Sequence, residues 1–579
     1  MPIHNADIAA IFTEIADLLE IEEANPFRVR AYRNAARIVG ESAQEVRAMV
    51  ERGADLKTLP GIGDDLAAKM SEIVETGKCR ALEKLRTELP PAITELLHLP
   101  GLGPKRVRTL WHELDVQTLE QLARAARDGR ISALPGFGAK TEANILQAVE
   151  AHLSKAHRIK LATAAQYAES LVAWLSAAKG VSRVEVAGSY RRCRETVGDL
   201  DILVIAAPDS DVMKRFVGYE EVAEILSQGQ TRASVVLRSG LQVDVRVVEA
   251  AAYGAALCYF TGSKAHNIAM RRIAQDAGLK LNEYGLFHGR ERIAGESEES
   301  VYRALGLPWI APELREDRGE IAAARAGRLP RLIELTQLRG DLHVHTKATD
   351  GHNSLEEMAL AAKALGLSYL AVTEHSRRLA MAHGLDPQRL AEQGEAIDRL
   401  NEKLAKEGAG IVLLKGIEVD ILDDGSLDLP DSALAPLDLV IGAVHSRFEL
   451  PRTKQTERIL RAMDNPHFTM LAHPTGRVID SRAPYDVDML RVVRHAKQRG
   501  CFLELNAHPE RLDLLDAHCL MAKEEGVLVA INSDAHSRED LANLRFGVGQ
   551  ARRGWLEAGD VLNTRPLPEL KRLLAGTRK

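Results

Sequence analysis

The sequence of 579 residues has few cysteines, no long apolar run and no excess of basic charge. Its five cysteines are scattered and none forms a Cys-x-x-Cys pair, which argues against a thiolate zinc site and indicates a reducing compartment. No stretch approaches the length that spans a bilayer, and the first residues lack the basic and then apolar pattern of a signal peptide. We therefore expect a cytoplasmic protein without a membrane partner.

The net charge of −6 argues mildly against a nucleic-acid partner, because phosphate binding is driven by lysine and arginine. The N-terminal part is nearly neutral, however, since residues 1–340 carry roughly 45 basic and 46 acidic side chains. Such a segment can still present a local basic face. The length suggests roughly three to five domains, so the charge of each part matters more than the total.

Two aspartates, Asp199 and Asp201, stand at the head of an apolar run that predicts a buried strand. Alternate residues of a strand point to one face, so both carboxylates project into the same site. Residues 232–248 predict a hairpin, and Asp244 joins the pair if the hairpin lies beside that strand. An isolated pattern of this kind is more often a strand-end turn. Three clustered carboxylates repel one another by roughly 4 kcal/mol per close pair and would bind magnesium or manganese.

A Gly-Ser pair, Gly188 and Ser189, precedes the aspartates and is followed by several arginines. A Gly-Ser turn that opens a helix offers backbone amides and a hydroxyl to a phosphate, and the arginines add cationic donors. Two metal ions about 3.5–4 Å apart stabilise the attacking and leaving oxygens of phosphoryl transfer. A nucleotidyltransferase uses all of these parts.

These segments resemble the palm of the family X DNA polymerases, the DNA polymerase beta type. Residues 259–263 and 282–286 are similar to the two nucleotide-pocket motifs of that family, in the same order and spacing. The resemblance implies that Asp199, Asp201 and Asp244 hold two Mg²⁺ or Mn²⁺ ions. It also implies that Asp244 draws the proton from the primer hydroxyl.

The same resemblance implies a set of contacts to the incoming nucleotide. Ser189 and Arg192 match positions that hold the triphosphate, next to Gly188. Tyr259 and Phe260 match the pair that checks the sugar, and Gly262 follows them in the same motif. Asn267 and Arg271 match the minor-groove side of the pocket. Lys264 stands where the vertebrate members have an aspartate, and a cation there could reach the nucleotide instead.

An internal repeat lies before the palm. The pattern Leu-Pro-Gly-x-Gly occurs at residues 59–63, 99–103 and 134–138, each time between segments of helical periodicity. Glycines let such a turn expose its amides, and a helix N-terminus favours an anion, so the unit can bind a DNA phosphate without sequence preference. One copy would more often be structural, and the third can partly serve packing. The repeat favours DNA binding by the first two copies, through Gly61, Gly63, Gly101 and Gly103.

Residues 1–85 resemble the small N-terminal domain of the beta-type enzyme, which in some relatives removes a 5′-deoxyribose phosphate. That reaction needs a lysine that forms a Schiff base, and Lys69 matches its position. Asp65 and Phe27 stand where a lysine and a histidine are expected. The alternative therefore stays open that Lys69 is a solvated helix residue or a phosphate contact.

From Gly340 onward, short apolar strands alternate with helices, which predicts parallel βα units. Seven of these strands end in polar residues, where barrel enzymes place their chemistry. A single strand-end histidine is more often structural than ligating, but nine His, Asp and Glu groups on one barrel face cannot all be structural. Mixed imidazole and carboxylate groups suit manganese, zinc or iron, and so many imply two or three ions. The candidate ligands are His343, His345, Asp350, His375, Glu418, His445, His473, Asp534 and His536.

These strand ends also resemble the polymerase and histidinol phosphatase (PHP) domain, a distorted seven-stranded barrel with a trinuclear centre. All nine ligand positions of that family are filled, which implies an active phosphoesterase. Asn506, at the end of one of the same seven strands, is predicted to contact the substrate. Residues 381–386 and 473–477 resemble motifs around the substrate.

Together the resemblances cover nearly the whole chain and identify it as a two-domain family X DNA polymerase of bacteria and archaea. We expect a multidomain fold with a helical N-terminal DNA-binding domain and a C-terminal distorted (βα)7 barrel, on either side of an α+β nucleotidyltransferase palm and thumb. The expected parts are the N-terminal domain (1–85), fingers with helix-hairpin-helix motifs (86–155), palm (156–250), thumb (251–315), linker (316–339) and PHP domain (340–579).

The expected function is the filling of short gaps during base excision repair, on gapped or primed DNA with dNTPs. The barrel would act as a 3′-5′ exonuclease or 3′-end phosphodiesterase and could also cut at abasic sites. We expect a monomer associated with the nucleoid. Two alternatives stay open: a repair nuclease whose polymerase part mainly holds DNA, and a small-phosphoester phosphatase tethered to a DNA-binding module.

Overall fold

The computed structural model describes residues 3–42, 45–88, 93–97, 99, 101–154, 158–379 and 382–578. The chain forms two compact units. The first contains residues 1–158 together with 217–226 and 235–242, and the second contains residues 159–216, 227–234 and 243–579. None of the described helices combines the length and the apolar character that crossing a membrane requires.

The N-terminal part of the first unit is helical, as the periodicity of its apolar residues predicts. The apolar faces of its helices meet in one core, where the rings of Phe12 and Tyr32 pack edge to face with centroids 5.7 Å apart. Its helices are α1 (Asn5–Ile21), α2 (Pro26–Glu41), α3 (Val46–Glu51), α4 (Asp64–Thr76), α5 (Arg80–Glu88), α6 (Ile93–Leu97), α7 (Pro104–Leu114), α8 (Leu119–Arg127) and α9 (Ala139–Ser154).

The first two sequence repeats form tight turns that lead into α4 and α7. Gly61 and Gly101 have φ angles of 65° and 86°, in the left-handed region that residues with a side chain rarely adopt. Gly63 and Gly103 are the N-cap residues of the two helices, and neither cap is closed by a side chain. All four glycines are exposed. Backbone amides at these turns are therefore open to a ligand.

The predicted palm contains a five-stranded sheet with the strand order β2-β4-β7-β6-β5. Strand β4 lies next to β7, which is the pairing that the hairpin prediction required. The elements are β1 (Ile159–Lys160), α10 (Leu161–Ser176), β2 (Val181–Val186), α11 (Gly188–Arg191), β3 (Thr196–Val197), β4 (Asp199–Ala206), α12 (Val212–Val217), β5 (Val222–Gln228), β6 (Arg232–Leu237) and β7 (Gln242–Val247).

The predicted thumb packs around a buried ion pair. Arg315 is fully buried, and its Nη1 donates to Glu298 Oε1 at 2.6 Å. Arg191 of the palm donates to the same carboxylate at 2.8 Å. The elements are α13 (Tyr253–Thr261), α14 (Lys264–Asp276), β8 (Lys280–Asn282), β9 (Gly285–His288), β10 (Glu291–Ala294) and α15 (Glu298–Ala304), with a sheet in the order β10-β9-β8, and α16 (Glu320–Arg325) follows the thumb.

The segment 316–339, which the sequence predicts as a linker, is packed in its first part. Glu320 opens α16, is fully buried, and lies with Oε1 2.6 Å from Nδ1 of His266 in the thumb. A buried charge needs such a partner, and this contact packs the start of the segment against the thumb.

The C-terminal part is a barrel of seven parallel strands in sequential order, β11 to β17. The two end strands approach each other at the bridge between Val344 and Ala535, where the His345 amide donates to the Ala535 carbonyl at 2.8 Å. The predicted (βα)7 architecture is confirmed. The strands are β11 (Gly340–Val344), β12 (Tyr369–Val372), β13 (Val412–Asp420), β14 (Leu439–Ala443), β15 (Met470–Leu471), β16 (Phe502–Asn506) and β17 (Val529–Asn532).

Helices cover the outside of these strands and supply most of the core around them. They are α17 (Leu355–Ala364), α18 (Pro387–Lys406), α19 (Asp431–Leu434), α20 (Arg452–Met463), α21 (Met489–Arg499), α22 (Asp516–Glu525), α23 (Leu544–Arg553) and α24 (Leu567–Gly576).

Gly442 in β14 tests the packing of the barrel. A Cβ atom at this position would lie 2.2 Å from Cε2 of the buried Phe468. We predict that Gly442→Ala destabilises the barrel by about 1–3 kcal/mol through overpacking, measured as a lower midpoint of thermal unfolding. Gly559→Ala is the control, because its Cβ would meet no atom within 4 Å. Equal midpoints for the two variants would contradict this packing.

Two candidate metal centres

The three predicted palm aspartates lie together. Asp199 and Asp201 sit two residues apart on β4, and Asp244 lies in the middle of the neighbouring strand β7. Burial, with the negative charges of Asp199 and Asp244, raises the pKa of Asp201 to about 7. The Ser234 hydroxyl donates to Asp244. Carboxylates that interact in one buried site disfavour one another's ionised form unless a cation joins them, and an all-oxygen donor set fits magnesium or manganese.

The Gly-Ser turn lies against this cluster. Gly188 has a φ of 65°, and a Cβ atom there would lie 2.8 Å from Asp201 Oδ2, so only glycine fits. The hydroxyl of Ser189 is buried without a hydrogen-bond partner among the described residues. Buried hydroxyls are nearly always hydrogen-bonded. This one is therefore placed to meet a ligand beside the aspartates.

Arg192 connects the turn to the first pocket motif. Its Nη1 donates to the carbonyl of Thr261, and its Nε donates to Glu316 Oε1 at 3.1 Å. Burial lowers the pKa of this guanidinium, with Glu316 acting in the opposite direction. Gly262 comes close as well, since a Cβ atom there would lie 3.2 Å from Arg192 Nη1. A residue with a side chain would crowd the arginine.

The predicted pocket residues of the thumb form a second group. The rings of Tyr259 and Phe260 meet edge to face with centroids 5.0 Å apart, and Tyr259 is 37% exposed. Asn267 Nδ2 donates to the Tyr259 carbonyl at 2.7 Å, and Arg271 Nε donates to the Asn267 carbonyl at 3.3 Å. Lys264 is exposed at the start of α14. Tyr259, Asn267 and Arg271 line one cavity beside α13 and α14, whereas the ring of Phe260 packs against the palm.

Lys69 lies in the first unit on α4, where the structure pairs it with Asp65. Its ammonium donates to the Asp65 carboxylate and lies 5.9 Å from the ring centroid of Tyr32. Burial lowers the pKa of Lys69, but the hydrogen bond to Asp65 and further interactions raise it to a net increase. A Schiff-base nucleophile must be a neutral amine, so this environment opposes that role.

The nine predicted barrel ligands converge at the C-terminal ends of the strands. In the described part of the chain, three groups have ligand atoms within 4.8 Å of one another. His345 and His375 each belong to two groups, which makes the centre continuous. His473 joins through Nε2, 2.9 Å from Glu418 Oε1. The groups are His345, Asp350, His375 and His536; His343, His345 and Asp534; and His375, Glu418 and His445.

Several of these buried ligand atoms have no hydrogen-bond partner among the described residues. They are His345 Nδ1, His473 Nδ1 and Asp350 Oδ1, whereas His375 Nδ1 lies 2.7 Å from Glu418 Oε2. Burial, together with His536 and His375, lowers the pKa of His345 to about 3, so its imidazole is neutral and can ligate. Such unsatisfied atoms would be costly without a cation. The set of imidazoles and carboxylates fits manganese, zinc or iron.

A second layer of carboxylates, which the sequence analysis missed, orients these ligands. His343 Nδ1 lies 2.7 Å from Glu504 Oε1, and His445 Nδ1 lies 2.6 Å from Asp420 Oδ1. Both carboxylates were visible in the sequence as neighbours two residues away from Asn506 and Glu418 on the same strand face. Asn506 Nδ2 donates to Asp534 Oδ2 at 3.0 Å, so in this structure it supports a predicted ligand.

In the predicted substrate motif at residues 473–477, the arginine contacts other parts of the protein. Arg477 donates to the carbonyls of Arg511 and Leu512 and lies 2.7 Å from Glu195 of the palm. Its guanidinium is therefore engaged by protein groups. Of the other motif, residue 381 lies outside the described residues, and His383 adopts a left-handed φ of 55°.

Comparisons with known proteins match this arrangement segment by segment. Residues 3–79 match a helix-hairpin-helix domain and residues 93–151 a SAM-like helix-hairpin-helix tandem. Residues 256–316 match the DNA polymerase beta thumb, and residues 341–508 match the PHP domain.

Curated relatives extend these matches. "DNA polymerase/3'-5' exonuclease PolX" of Bacillus subtilis is 38% identical over 99% of this chain and 99% of its own length. A protein named "Probable phosphatase" from Caldicellulosiruptor saccharolyticus is 32% identical over 35% of this chain and 83% of its own length. Among solved structures, a ternary complex of Leishmania infantum polymerase beta is 23% identical over 39% of this chain and 98% of that chain, with a TM-score of 0.26.

A chain that carries both centres is a nucleotidyltransferase joined to a metal-dependent phosphoesterase. The full-length Bacillus relative and the thumb and PHP matches define it further. The chain belongs to the family X DNA polymerases that carry a C-terminal PHP domain, and this confirms the family identified from the sequence.

Glu504 gives a direct test of the second layer. We predict that Glu504→Gln lowers the affinity of the barrel for Mn²⁺ by about tenfold, because the carboxylate no longer orients and polarises His343. The measurement is metal content after dialysis, together with titration calorimetry. Glu524→Gln is the matched control, since Glu524 is exposed on α22. Unchanged Mn²⁺ affinity in Glu504→Gln would show that Glu504 has no such role.

Proposed function

We propose that the chain fills gaps as a DNA-directed DNA polymerase and that its barrel removes nucleotides as a 3′-5′ exonuclease. The observation that carries the proposal is the pair of separate ligand clusters, one of three aspartates and one of nine imidazole and carboxylate groups. The Bacillus relative, whose name includes both activities, supports it. Primer extension and primer degradation on gapped DNA test the two halves separately.

In the palm, Asp199, Asp201 and Asp244 would hold two Mg²⁺ or Mn²⁺ ions. Bound there, the ions supply charge stabilisation for the attacking and leaving oxygens of nucleotide transfer. Asp244 accepts the proton of the primer 3′-hydroxyl, a role that its position in the cluster supports.

The incoming dNTP lies between the Gly-Ser turn and the thumb motif in this proposal. Ser189 and Arg192 hold the triphosphate next to Gly188, and the unpartnered Ser189 hydroxyl supports this assignment. Tyr259 and Phe260, with Gly262, face the sugar. Asn267 and Arg271 lie on the minor-groove side, and the exposed Lys264 ammonium adds a contact to the nucleotide.

The helix-hairpin-helix turns hold gapped or primed DNA by its phosphates. The exposed glycines Gly61, Gly63, Gly101 and Gly103 support this, because they open the backbone amides at the N-termini of α4 and α7. Contacts of this kind carry no sequence preference, which suits an enzyme that acts wherever a gap occurs.

The barrel would hold two or three Mn²⁺, Zn²⁺ or Fe²⁺ ions. These ions, when bound, activate water for attack on a phosphodiester. His343, His345, His375, His445, His473 and His536, with Asp350, Glu418 and Asp534, are the proposed ligands. We further propose that the two activities serve base excision repair, that the barrel also cuts at abasic sites, and that the protein acts as a monomer at the nucleoid.

Point variants in each centre separate the two activities. We predict that Asp201→Asn lowers nucleotide addition by about a thousandfold, because a metal ligand that stabilises transition-state charge is lost. Degradation of the 3′ end continues in this variant. His343→Ala has the opposite pattern, and both are measured on gapped DNA with Mn²⁺ or Mg²⁺. Survival of both activities in Asp201→Asn would contradict the palm assignment.

The same pair of variants decides between the alternatives. A repair nuclease with a passive polymerase part would show no extension in the unaltered protein. A small-phosphoester phosphatase is favoured by the relatives named as probable phosphatases. It would turn over histidinol phosphate faster than 3′-recessed DNA, and His343→Ala would abolish that turnover.

Lys69 tests the lyase hypothesis. Since its ammonium is paired with Asp65 and its pKa is raised, we predict no covalent adduct when borohydride is added with a nicked abasic substrate. Lys69→Ala is the control. An adduct in the unaltered protein that disappears in Lys69→Ala would show that Lys69 is the Schiff-base lysine after all.

A further inference from the structure

Helix α23 of the barrel lies against the loop that follows the Gly-Ser turn. A Cβ atom at Gly549 on α23 would lie 3.0 Å from the Cβ of Cys193, so the glycine allows the close approach. Cys193 itself has a left-handed φ of 51°. The palm backbone next to Arg192 is thus in direct contact with the nuclease domain.

Arg553, the last residue of α23, is connected to Arg192 directly and through Glu316. Its Nη1 donates to the Arg192 carbonyl at 2.9 Å and to Glu316 Oε1 at 2.9 Å. The same Glu316 oxygen accepts from Arg192 Nε at 3.1 Å. Arg553 therefore holds both the backbone of Arg192 and the carboxylate that orients its guanidinium.

The Arg553 side chain is itself fixed. It is 2% exposed, and its Nη2 donates to Asp516 Oδ2 at 2.8 Å. Asp516 on α22 also accepts from Arg318 Nη2 at 2.6 Å. Although burial raises the pKa of Asp516, these two arginines lower it to about 2, so the carboxylate is a permanent anchor. Because Nη1 and Nη2 of Arg553 each donate to a carboxylate, its long side chain is held in one position.

Arg552, the preceding residue, makes a useful contrast. Its Nε donates to Glu313 Oε1 at 2.7 Å and its Nη1 to the Ile333 carbonyl at 2.9 Å. It thus also bonds the barrel to residues outside it, but its partners are neither Arg192 nor Glu316. Comparing variants of the two arginines therefore distinguishes attachment of the barrel to the rest of the chain from contact with Arg192.

We propose that Arg553 of the nuclease domain is a positioning residue for dNTP binding in the polymerase domain, acting through Glu316 on Arg192. This inference rests on the proposed function, in which Arg192 holds the triphosphate. The barrel thereby completes the nucleotide site in addition to its own chemistry.

Arg553 would affect dNTP binding because the Arg192 guanidinium moves little while its nitrogens are hydrogen-bonded. Arg192 has Nε committed to Glu316 and Nη1 to the Thr261 carbonyl, which fixes the plane of its guanidinium. Glu316 is largely buried, and without Arg553 it loses one of its two closest cationic partners. Its carboxylate and the Arg192 carbonyl would then be free to shift, and binding of a triphosphate would require Arg192 to be ordered again.

The experiment is steady-state gap filling by the full chain with the dNTP concentration varied. We expect Arg553→Met to raise the KM for dNTP by about fivefold, a coupling of ordinary size between contacting groups. The kcat should change little, because Arg192 contacts the triphosphate in the ground state and in the transition state alike. Arg552→Met is the matched control and should leave KM unchanged.

Glu316→Ala and the double variant Glu316→Ala/Arg553→Met test the route of the effect. If Arg553 acts through Glu316, the double variant raises KM no further than the larger single effect. Effects that multiply in the double variant would overturn the proposal, as would equal KM values for Arg553→Met and Arg552→Met. Arg553→Lys, which keeps the charge, provides a milder variant with an intermediate KM if Arg553→Met does not fold.

Two further measurements, exonuclease activity and the KM of Arg192→Ala, distinguish misfolding, failure of the nucleotide site and failure of the inference about Arg553. Retained 3′-end degradation shows that the barrel of Arg553→Met is folded. If Arg192→Ala leaves KM unchanged, the triphosphate role of Arg192 fails, and the proposed nucleotide site fails with it. If Arg192→Ala raises KM and Arg553→Met does not, only the inference about Arg553 is overturned.

Discussion

The burial of several ionisable side chains in one place is the constraint on which both centres depend. In the palm, three carboxylates share one site, and burial with mutual repulsion raises the pKa of Asp201 to about 7. In the barrel, His343 Nε2 and His345 Nε2 lie 3.1 Å apart beside Asp534. A cation bound among such groups would relieve the repulsion of like groups and occupy the donor atoms that have no protein partner. The rest of the structure can be understood as the support that this arrangement needs.

That support comes from strands and from the residues behind the ligands. Neighbouring strands β4 and β7 fix the aspartates, and Gly188 leaves the space that Asp201 occupies. Seven parallel strands bring their C-terminal ends to one face of the barrel. Glu504 and Asp420 then hold His343 and His445 from behind. Rigid elements with a second layer of hydrogen bonds keep the donors in place even though they repel one another.

Much of this was predictable from the sequence because it is encoded locally. The spacing of Asp199 and Asp201 and the polar residues that follow each barrel strand depend only on strand periodicity and on parallel βα units. Family resemblance then supplied the order of the domains. The turns at Gly61 and Gly101 were likewise visible as a repeat. Each of these features involves neighbours along the chain.

Features that depend on partners distant in sequence were not predictable. Glu504 contacts His343 across 161 positions, and Glu320 pairs with His266 across 54 positions. The contact of Arg553 with Arg192 spans 361 positions and two domains. A charged residue has the same appearance in the sequence whether water or a buried partner satisfies it. Only the tertiary structure distinguishes the two cases.

The central claim is that the chain holds cations at two separate places. Anomalous diffraction at the manganese absorption edge, from crystals of the full chain grown with Mn²⁺, tests it most directly. The account predicts peaks within coordination distance of Asp199, Asp201 and Asp244, and further peaks among the barrel ligands from His343 to His536. Absence of peaks from either cluster, with manganese bound elsewhere, would contradict it.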